Sequence, residues 1–304
     1  MRAMICTKYG SPDVLKLQEV DKPFPKPDQI RIRIHATTVT SGDCRVRGFK
    51  SPLLLWLPMR LFLGIRIPRK PILGVEFAGE VEAIGHNVTR YKVGDQVYGL
   101  NGMQFGAHAE FMCISEQANL ALMPASHTYE EAAAIPFAGT TALDFLRRGH
   151  IQKGQHVLIY GASGAVGTAA VQLAKHYGAE VTAVCRTVNW DLVQSLGADH
   201  VIDYTKEDFA SIGKRYDLIF DAVGKISKSS YKKALLQSGR FVTVEGQGIA
   251  KVHPEDLEFL KVLVEMGKLK AVIDRSYPFE QIPEAHRYVE QGHKKGNVVI
   301  VVSQ

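Results

Sequence analysis

His156-Val157-Leu158-Ile159-Tyr160-Gly161-Ala162-Ser163-Gly164-Ala165-Val166-Gly167 runs an apolar strand into a glycine turn. Thr168-Ala169-Ala170-Val171-Gln172-Leu173-Ala174-Lys175 then continues as helix. Strand, turn and helix in that order leave backbone N–H groups at the head of the helix, where they face an anion. Gly161 permits the tight turn, Gly164 lets a pyrophosphate approach the backbone, and Gly167 lets helix and strand pack closely. The spacing is GxxGxxG, a variant of GxGxxG, and the flanking strand and helix give it meaning. Gly161, Ser163, Gly164, Ala165, Val166 and Gly167 are thus the candidate cradle of a dinucleotide. The bland alternative is a glycine turn that holds no ligand.

Strands and helices alternate on both sides of this motif. Helix is expected over Thr140–Arg148, before the glycine strand, and over Ala165–Tyr177 after it. Strand Glu180–Cys185, helix Asn189–Leu196, strands His200–Asp203 and Tyr216–Ala222, a helix around Ser229–Leu236 and strand Arg240–Val244 follow. Helix Pro254–Met266 precedes a strand at Leu269–Ile273. That alternation predicts a doubly wound parallel sheet. The first 125 residues read differently: Gln29–Ala36 alternates apolar and polar with period two, and Val75–Gly85 continues in that manner. The change comes at Thr128-Tyr129-Glu130-Glu131, a capping box that opens an alanine-rich helix. Ile282–Gln291 and Val298–Val302 close the chain as a helix and a buried strand.

The strand after the cradle discriminates between nucleotides. An NAD site places an acid about 20 residues on, for the ribose 2′-hydroxyl. Here the strand ends in Cys185-Arg186-Thr187, with no Asp or Glu until Asp191. An arginine there suits a 2′-phosphate, so NADPH is the expected cofactor; a solvated surface arginine is the alternative.

Composition narrows the remaining classes. The chain has 304 residues, 46% hydrophobic and 22% charged, with a net charge of +6. The basic excess is spread without a run of five like charges and without a groove-reading motif, which argues against nucleic acid. Cys6, Cys44, Cys113 and Cys185 lie far apart with no CxxC pair, and the start runs straight into strand-like sequence. A reducing cytoplasm is the expected location. Pro52–Ile65 is strongly apolar but interrupted by Pro58 and Arg60, and shorter than the roughly 20 residues of a spanning helix.

Pro71–Val81, Gly85-His86-Asn87-Val88, Val93–Gly99, Gly161–Gly167, Leu196-Gly197-Ala198-Asp199, Asp217–Gly224, Ala285-His286-Arg287-Tyr288 and Gly296-Asn297-Val298-Val299 together carry a resemblance. The chain resembles the medium-chain dehydrogenase/reductase superfamily, in its quinone oxidoreductase branch, over nearly its full length. The resemblance implies a Rossmann domain, 126–266, inserted in a β-rich, GroES-like catalytic domain, 1–125 and 267–304. It implies cofactor contacts by Asn189 and Tyr204 near the adenosine 2′-phosphate, by Thr141 near the nicotinamide, and by backbone around Val223, Gly246 and Asn297. For Tyr204, simple packing is an equal reading. It also implies a homodimer joined at sheet edges, with Arg240–Val244 or Leu269–Ile273 as the edge.

Zinc-using relatives carry Gly-His-Glu and an earlier cysteine. This chain has Gly74-Val75-Glu76, and the cysteine position falls on Thr40. A zinc site needs three or four N, S or O ligands, so no metal is expected. Without a Lewis acid, the chemistry that fits is reduction of an acceptor that delocalises charge, a quinone or an enone. Thr40, Ser41 or Arg45 is expected to hydrogen-bond the acceptor oxygen, with water as proton source. Leu55, Trp56, Met59 and Phe62 are candidates for a substrate wall; a barrel cover, a dimer surface or a membrane-surface contact are the alternatives. Competing functions are an enoyl or alkenal reductase, and a non-catalytic NADPH-binding sensor or structural protein.

Overall fold

β3 (Gln29–Thr38) shows how the period-two sequence becomes structure: Ile30, Ile32 and Ile34 are all fully buried, while Arg33 between them is exposed. The computed structural model describes residues 1–49, 56–125 and 127–302. Its first elements are β1 (Arg2–Cys6), β2 (Leu15–Glu19), β3, α1 (Ser41–Arg47), α2 (Trp56–Leu63), β4 (Glu76–Ile84), β5 (Gln96–Leu100), β6 (Phe111–Ser115) and β7 (Leu120–Leu122). Then come α3 (Tyr129–Ala133), α4 (Pro136–Arg148), β8 (His156–Tyr160), α5 (Ala165–His176), β9 (Glu180–Cys185), α6 (Trp190–Ser195), β10 (His200–Asp203) and β11 (Tyr216–Asp221). The chain ends with α7 (Lys228–Ala234), β12 (Leu235–Thr243), α8 (Pro254–Glu265), β13 (Ile273–Pro278), α9 (Ile282–Glu290) and β14 (Asn297–Val301).

The chain divides into two units, one formed by Met1–Pro136 with the tail from Ile273, the other by Phe137–Val272. In the first, β3 pairs antiparallel with β4, β6 and β14, within a sheet ordered β13-β14-β3-β4-β5-β7. Its core gathers Ile30, Ile32 and Ile34 with Phe77, Val81, Val97, Leu120, Val298 and Ile300. The expected boundary at 125/126 lies ahead of the observed one because α3, capped by Thr128 as its sequence predicts, packs on β3 and β4. Tyr129 stacks on His35 there, with ring centroids 4.2 Å apart.

The second unit is α/β, with a five-stranded, wholly parallel sheet ordered β10-β9-β8-β11-β12. Val157, Leu158, Ile159, Leu218, Ile219 and Phe220 are all fully buried, as strands covered on both faces require. The order reverses between β8 and β11, which creates a switch point at the carboxyl ends of those strands.

One expected strand is misplaced. Residues 269–272 form no strand, and β13 begins only at Ile273 and pairs in parallel with β14 of the first unit. The reason is a long-range side chain: Gln172 accepts from Lys270 N at 2.9 Å and donates to Lys270 O at 3.1 Å, so those backbone groups are unavailable to a ladder. Leu269–Ile273 therefore supplies no edge to the five-stranded sheet; β12, which contains most of Arg240–Val244, does.

Candidate functional site

The glycine turn follows β8, at the switch point. Gly161 has φ +78°, and a Cβ there would lie 2.7 Å from Val223 Cγ1. A Cβ on Gly167 would lie 2.2 Å from the Gly161 carbonyl oxygen, so α5 rests on the turn as only glycine allows. Gly164 is the N-cap of α5, and no side chain caps it. The first-turn amides of Ala165, Val166 and Gly167 have no acceptor inside an α-helix. They form an anion-seeking rim beside Ser163.

The segments that follow β9, β10, β11 and β12 reach the same edge of the sheet. After β9, Arg186 Nε donates to the Tyr204 hydroxyl at 2.9 Å; Tyr204 follows β10 and is 43% exposed, so it is not a core aromatic. The Asn189 amide donates to Ser163 Oγ at 3.0 Å, while its buried Oδ1 has no partner among the described residues. After β11, Asp221 accepts from the backbone N–H groups of Val223, Gly224 and Ile226 at 3.1, 2.8 and 2.7 Å, which fixes the loop facing Gly161. Gly246 lies exposed in the turn after β12 with φ +78°, and Thr141 is buried on α4. Uncapped amides for phosphates, a cation with a phenol, and an orphaned acceptor for a hydroxyl form a donor set that fits a pyridine dinucleotide.

Sequence reasoning missed the carboxylate that assembles this corner. Asp203, the last residue of β10, accepts from Thr187 N at 2.9 Å and from the Thr187 hydroxyl, and from Thr205 N and Oγ1 at 2.8 and 2.7 Å. It thereby ties the residue after Arg186 to the residue after Tyr204. The two hydroxyls, then the two amides, hold the Asp203 carboxyl well below the usual carboxylate range. Cys185 next to Arg186 is no nucleophile, because burial pushes its thiol up to about 11.

In the first unit, Thr40 is the N-cap of α1 in a reciprocal capping box. Its hydroxyl donates to Asp43 Oδ2 at 2.6 Å and accepts from Asp43 N at 3.1 Å. Asp43 Oδ1 accepts from Gly74 N at 3.1 Å, so α1 is locked to the segment before β4. The signal was present in the sequence, since Thr40-Ser41-Gly42-Asp43 has capping-box spacing. Ser41 and Arg45 stand exposed one turn apart on α1, and Asn297 is buried at the start of β14. Trp56 and Phe62 are exposed on α2 and Met59 is half-buried; Leu55 lies outside the described residues.

A buried polar cluster secures α1 from behind. Arg47, 1% exposed, donates from Nε to His286 Nδ1 at 3.3 Å, and its Nη2 lies 2.6 Å from Glu290 on α9. Cys44 Sγ is 3.3 Å from the same ring nitrogen. His108 packs edge-on against His286 and its Nε2 lies 2.9 Å from the Thr38 carbonyl oxygen. Burial, then His108, then Arg47 hold His286 well below its ordinary pKa. Nothing in the sequence joined these residues.

The residues at the zinc-ligand positions do not fit the metal. Val75 is buried and apolar, and the Thr40 hydroxyl is engaged by Asp43. Among the described residues no group of three or more His, Cys, Asp or Glu side chains is placed to hold a metal ion. No disulfide links any two of the four cysteines.

Comparison with known proteins matches two stretches of the chain, the second of which continues past Val272 into the tail of the first unit. Residues 26–125 match the alcohol dehydrogenase GroES-like domain, and residues 165–290 the zinc-binding dehydrogenase family. The chain is 37% identical to 2-methylene-furan-3-one reductase of Solanum lycopersicum, covering 99% of this chain and 79% of that protein. It is 35% identical, with the same coverage, to the chloroplastic NADPH-dependent alkenal/one oxidoreductase of Arabidopsis thaliana. Among solved structures, the quinone oxidoreductase from Coxiella burnetii superposes with a TM-score of 0.90 at 28% identity, covering 100% of this chain and 99% of that one. The chain belongs to the medium-chain dehydrogenase/reductase superfamily, in its quinone oxidoreductase branch.

Proposed function

We propose that this oxidoreductase uses NADPH to reduce a quinone or a similarly conjugated carbonyl, without a metal. The observation that carries the cofactor choice is the Arg186–Tyr204 pair, standing where an NAD site would place an acid. When bound, NADPH supplies the hydride. The amides of Ala165, Val166 and Gly167 hold its pyrophosphate, Arg186 and Tyr204 take its 2′-phosphate, and Asn189 Oδ1 accepts from a ribose hydroxyl. Thr141 and the backbone around Val223 and Gly246 orient the nicotinamide end.

On the acceptor side, Ser41 and Arg45 are the side chains assigned to the carbonyl oxygen. Thr40, whose proton is committed to Asp43, positions them by capping α1. A conjugated acceptor spreads the incoming negative charge over its own framework, so orientation and water exclusion suffice where a saturated carbonyl needs a Lewis acid. Water returns the proton. The reading includes a cytoplasmic location and a homodimer joined through the open edge of β12.

Enone reduction is the second reading, favoured because the two relatives described above at 37% and 35% identity are named for a furanone and for alkenals. The deciding experiment follows NADPH oxidation with a benzoquinone, an alkenal and the matching saturated aldehyde. Turnover with the conjugated acceptors and none with the saturated aldehyde is expected. Tight NADPH binding with no oxidation across the panel would instead identify a sensor or structural protein.

A further inference from the structure

α2 and the turn behind it form a surface that the proposed reaction does not use. Of the 18 large hydrophobic side chains exposed among the described residues, six fall within the short span from Trp56 to Ile67. They are Trp56, Leu57, Leu61, Phe62, Ile65 and Ile67, and the last four are 54–65% exposed. Scattered exposed apolar residues need no explanation, but a cluster of this kind marks a contact surface.

The cluster sits on a fixed frame. The Arg60 guanidinium stacks over Phe49 at 3.8 Å, Tyr9 at 4.7 Å and Trp56 at 5.1 Å, and donates to the Ile65 carbonyl at 2.6 Å. Arg69 N donates to Leu63 O at 2.7 Å, and the Tyr9 hydroxyl donates to Gly64 O at 3.0 Å. Leu63 is buried beneath, so the helix and its turn are anchored while their apolar side chains face outward.

Charge identifies the occupant. Between Asp43 and Glu76 the sequence contains no acidic residue, and the docking stretch itself carries Arg60, Arg66, Arg69 and Lys70. Arg66, Arg69 and Lys70 are exposed beside Ile65 and Ile67. A second copy of this surface would bring like charges together across a two-fold axis, which opposes self-association. Anionic headgroups above acyl chains complement both features at once. No helix among the described residues is long and apolar enough to cross a membrane.

We propose that Trp56–Lys70 is a docking surface for an anionic lipid bilayer, with its Trp, Leu, Phe and Ile side chains at the acyl boundary and Arg66, Arg69 and Lys70 against the lipid phosphates. The inference stands independently of the reductase reading. The test is co-sedimentation of the full chain with vesicles of phosphatidylcholine alone and of phosphatidylcholine mixed with phosphatidylglycerol. Binding to the mixed vesicles is expected to exceed binding to neutral ones by about tenfold or more and to weaken with salt. The double variant Leu61→Ser, Phe62→Ser and the triple variant Arg66→Gln, Arg69→Gln, Lys70→Gln each lose about tenfold in partitioning, with thermal melts like the parent's showing that they fold. No binding, equal binding to both vesicle types, or binding retained by both variants overturns the proposal. So does a concentration-dependent dimer in sedimentation velocity that Phe62→Ser dissociates, since it assigns the surface to a second copy.

Discussion

Arg186 and Tyr204, at the ends of adjacent parallel strands, are joined by a 2.9 Å hydrogen bond from Nε to the phenol oxygen. The bond fixes the guanidinium and leaves its outer N–H groups for an anion. Replacing Arg186 with Ala should raise the KM for NADPH by roughly 10- to 100-fold, the worth of a charge-assisted hydrogen bond to phosphate, and leave that for NADH nearly unchanged. Steady-state kinetics with both nucleotides reads the split; an equal change in both would remove the 2′-phosphate role.

Asp203 sits behind that pair and carries a prediction about acid. Its carboxyl titrates below the ordinary range in the folded chain, so its stabilising effect is complete above the unfolded value of about 3.9 and is lost as pH falls below it. Melts from neutral to acidic pH should show the parent losing stability there, with Asp203→Asn less stable at neutral pH and flatter in acid. The variant should also discriminate less between NADPH and NADH, because Thr187 and Thr205 then lose their common anchor.

The glycines of the turn separate packing from binding. A Cβ on Gly167 meets Gly161 O at 2.2 Å and Ala162 Cα at 2.7 Å, both backbone, so Gly167→Ala should cost about 1–3 kcal/mol in stability. A Cβ on Gly164 meets nothing nearer than 3.5 Å. Gly164→Ala should therefore melt like the parent while binding nucleotide at least about tenfold more weakly, because its methyl would lie where the pyrophosphate is proposed to approach. Calorimetric melts and nucleotide titrations of the two variants check both halves.

His286 predicts a second pH effect, in the first unit. Its folded-state pKa is depressed, so the unfolded chain takes up a proton below about 6.5 that the folded chain refuses, and stability falls as pH drops below that value. His286→Gln should reduce the slope of melting temperature against pH between neutral and mildly acidic buffer. A parent curve flat across that interval would contradict the prediction.

These residues also show what was legible in advance. The glycine turn and the Thr128 cap could be read because the pattern that marks each lies within a few consecutive residues. Arg186 was legible by position, at the end of the strand after the cradle. Asp203 was not, because its link to Thr187 spans 16 residues and exists only once β9 and β10 pair. Arg47 and His286 are 239 residues apart, and only the folded first unit joins them. The misplaced strand at 269–272 has the same cause, a side chain 98 residues away that takes its backbone hydrogen bonds. Local chemistry was readable; long-range polar pairing was not.

The most direct test of the account is a calorimetric titration of the full-length chain with NADPH and, separately, with NADH. The account predicts that NADPH binds roughly 10- to 100-fold more tightly, and that Arg186→Ala abolishes the difference. Equal affinity for the two nucleotides would contradict the reading of the Arg186–Tyr204 corner, and binding of neither would contradict the reading of the whole chain as a nucleotide-dependent reductase.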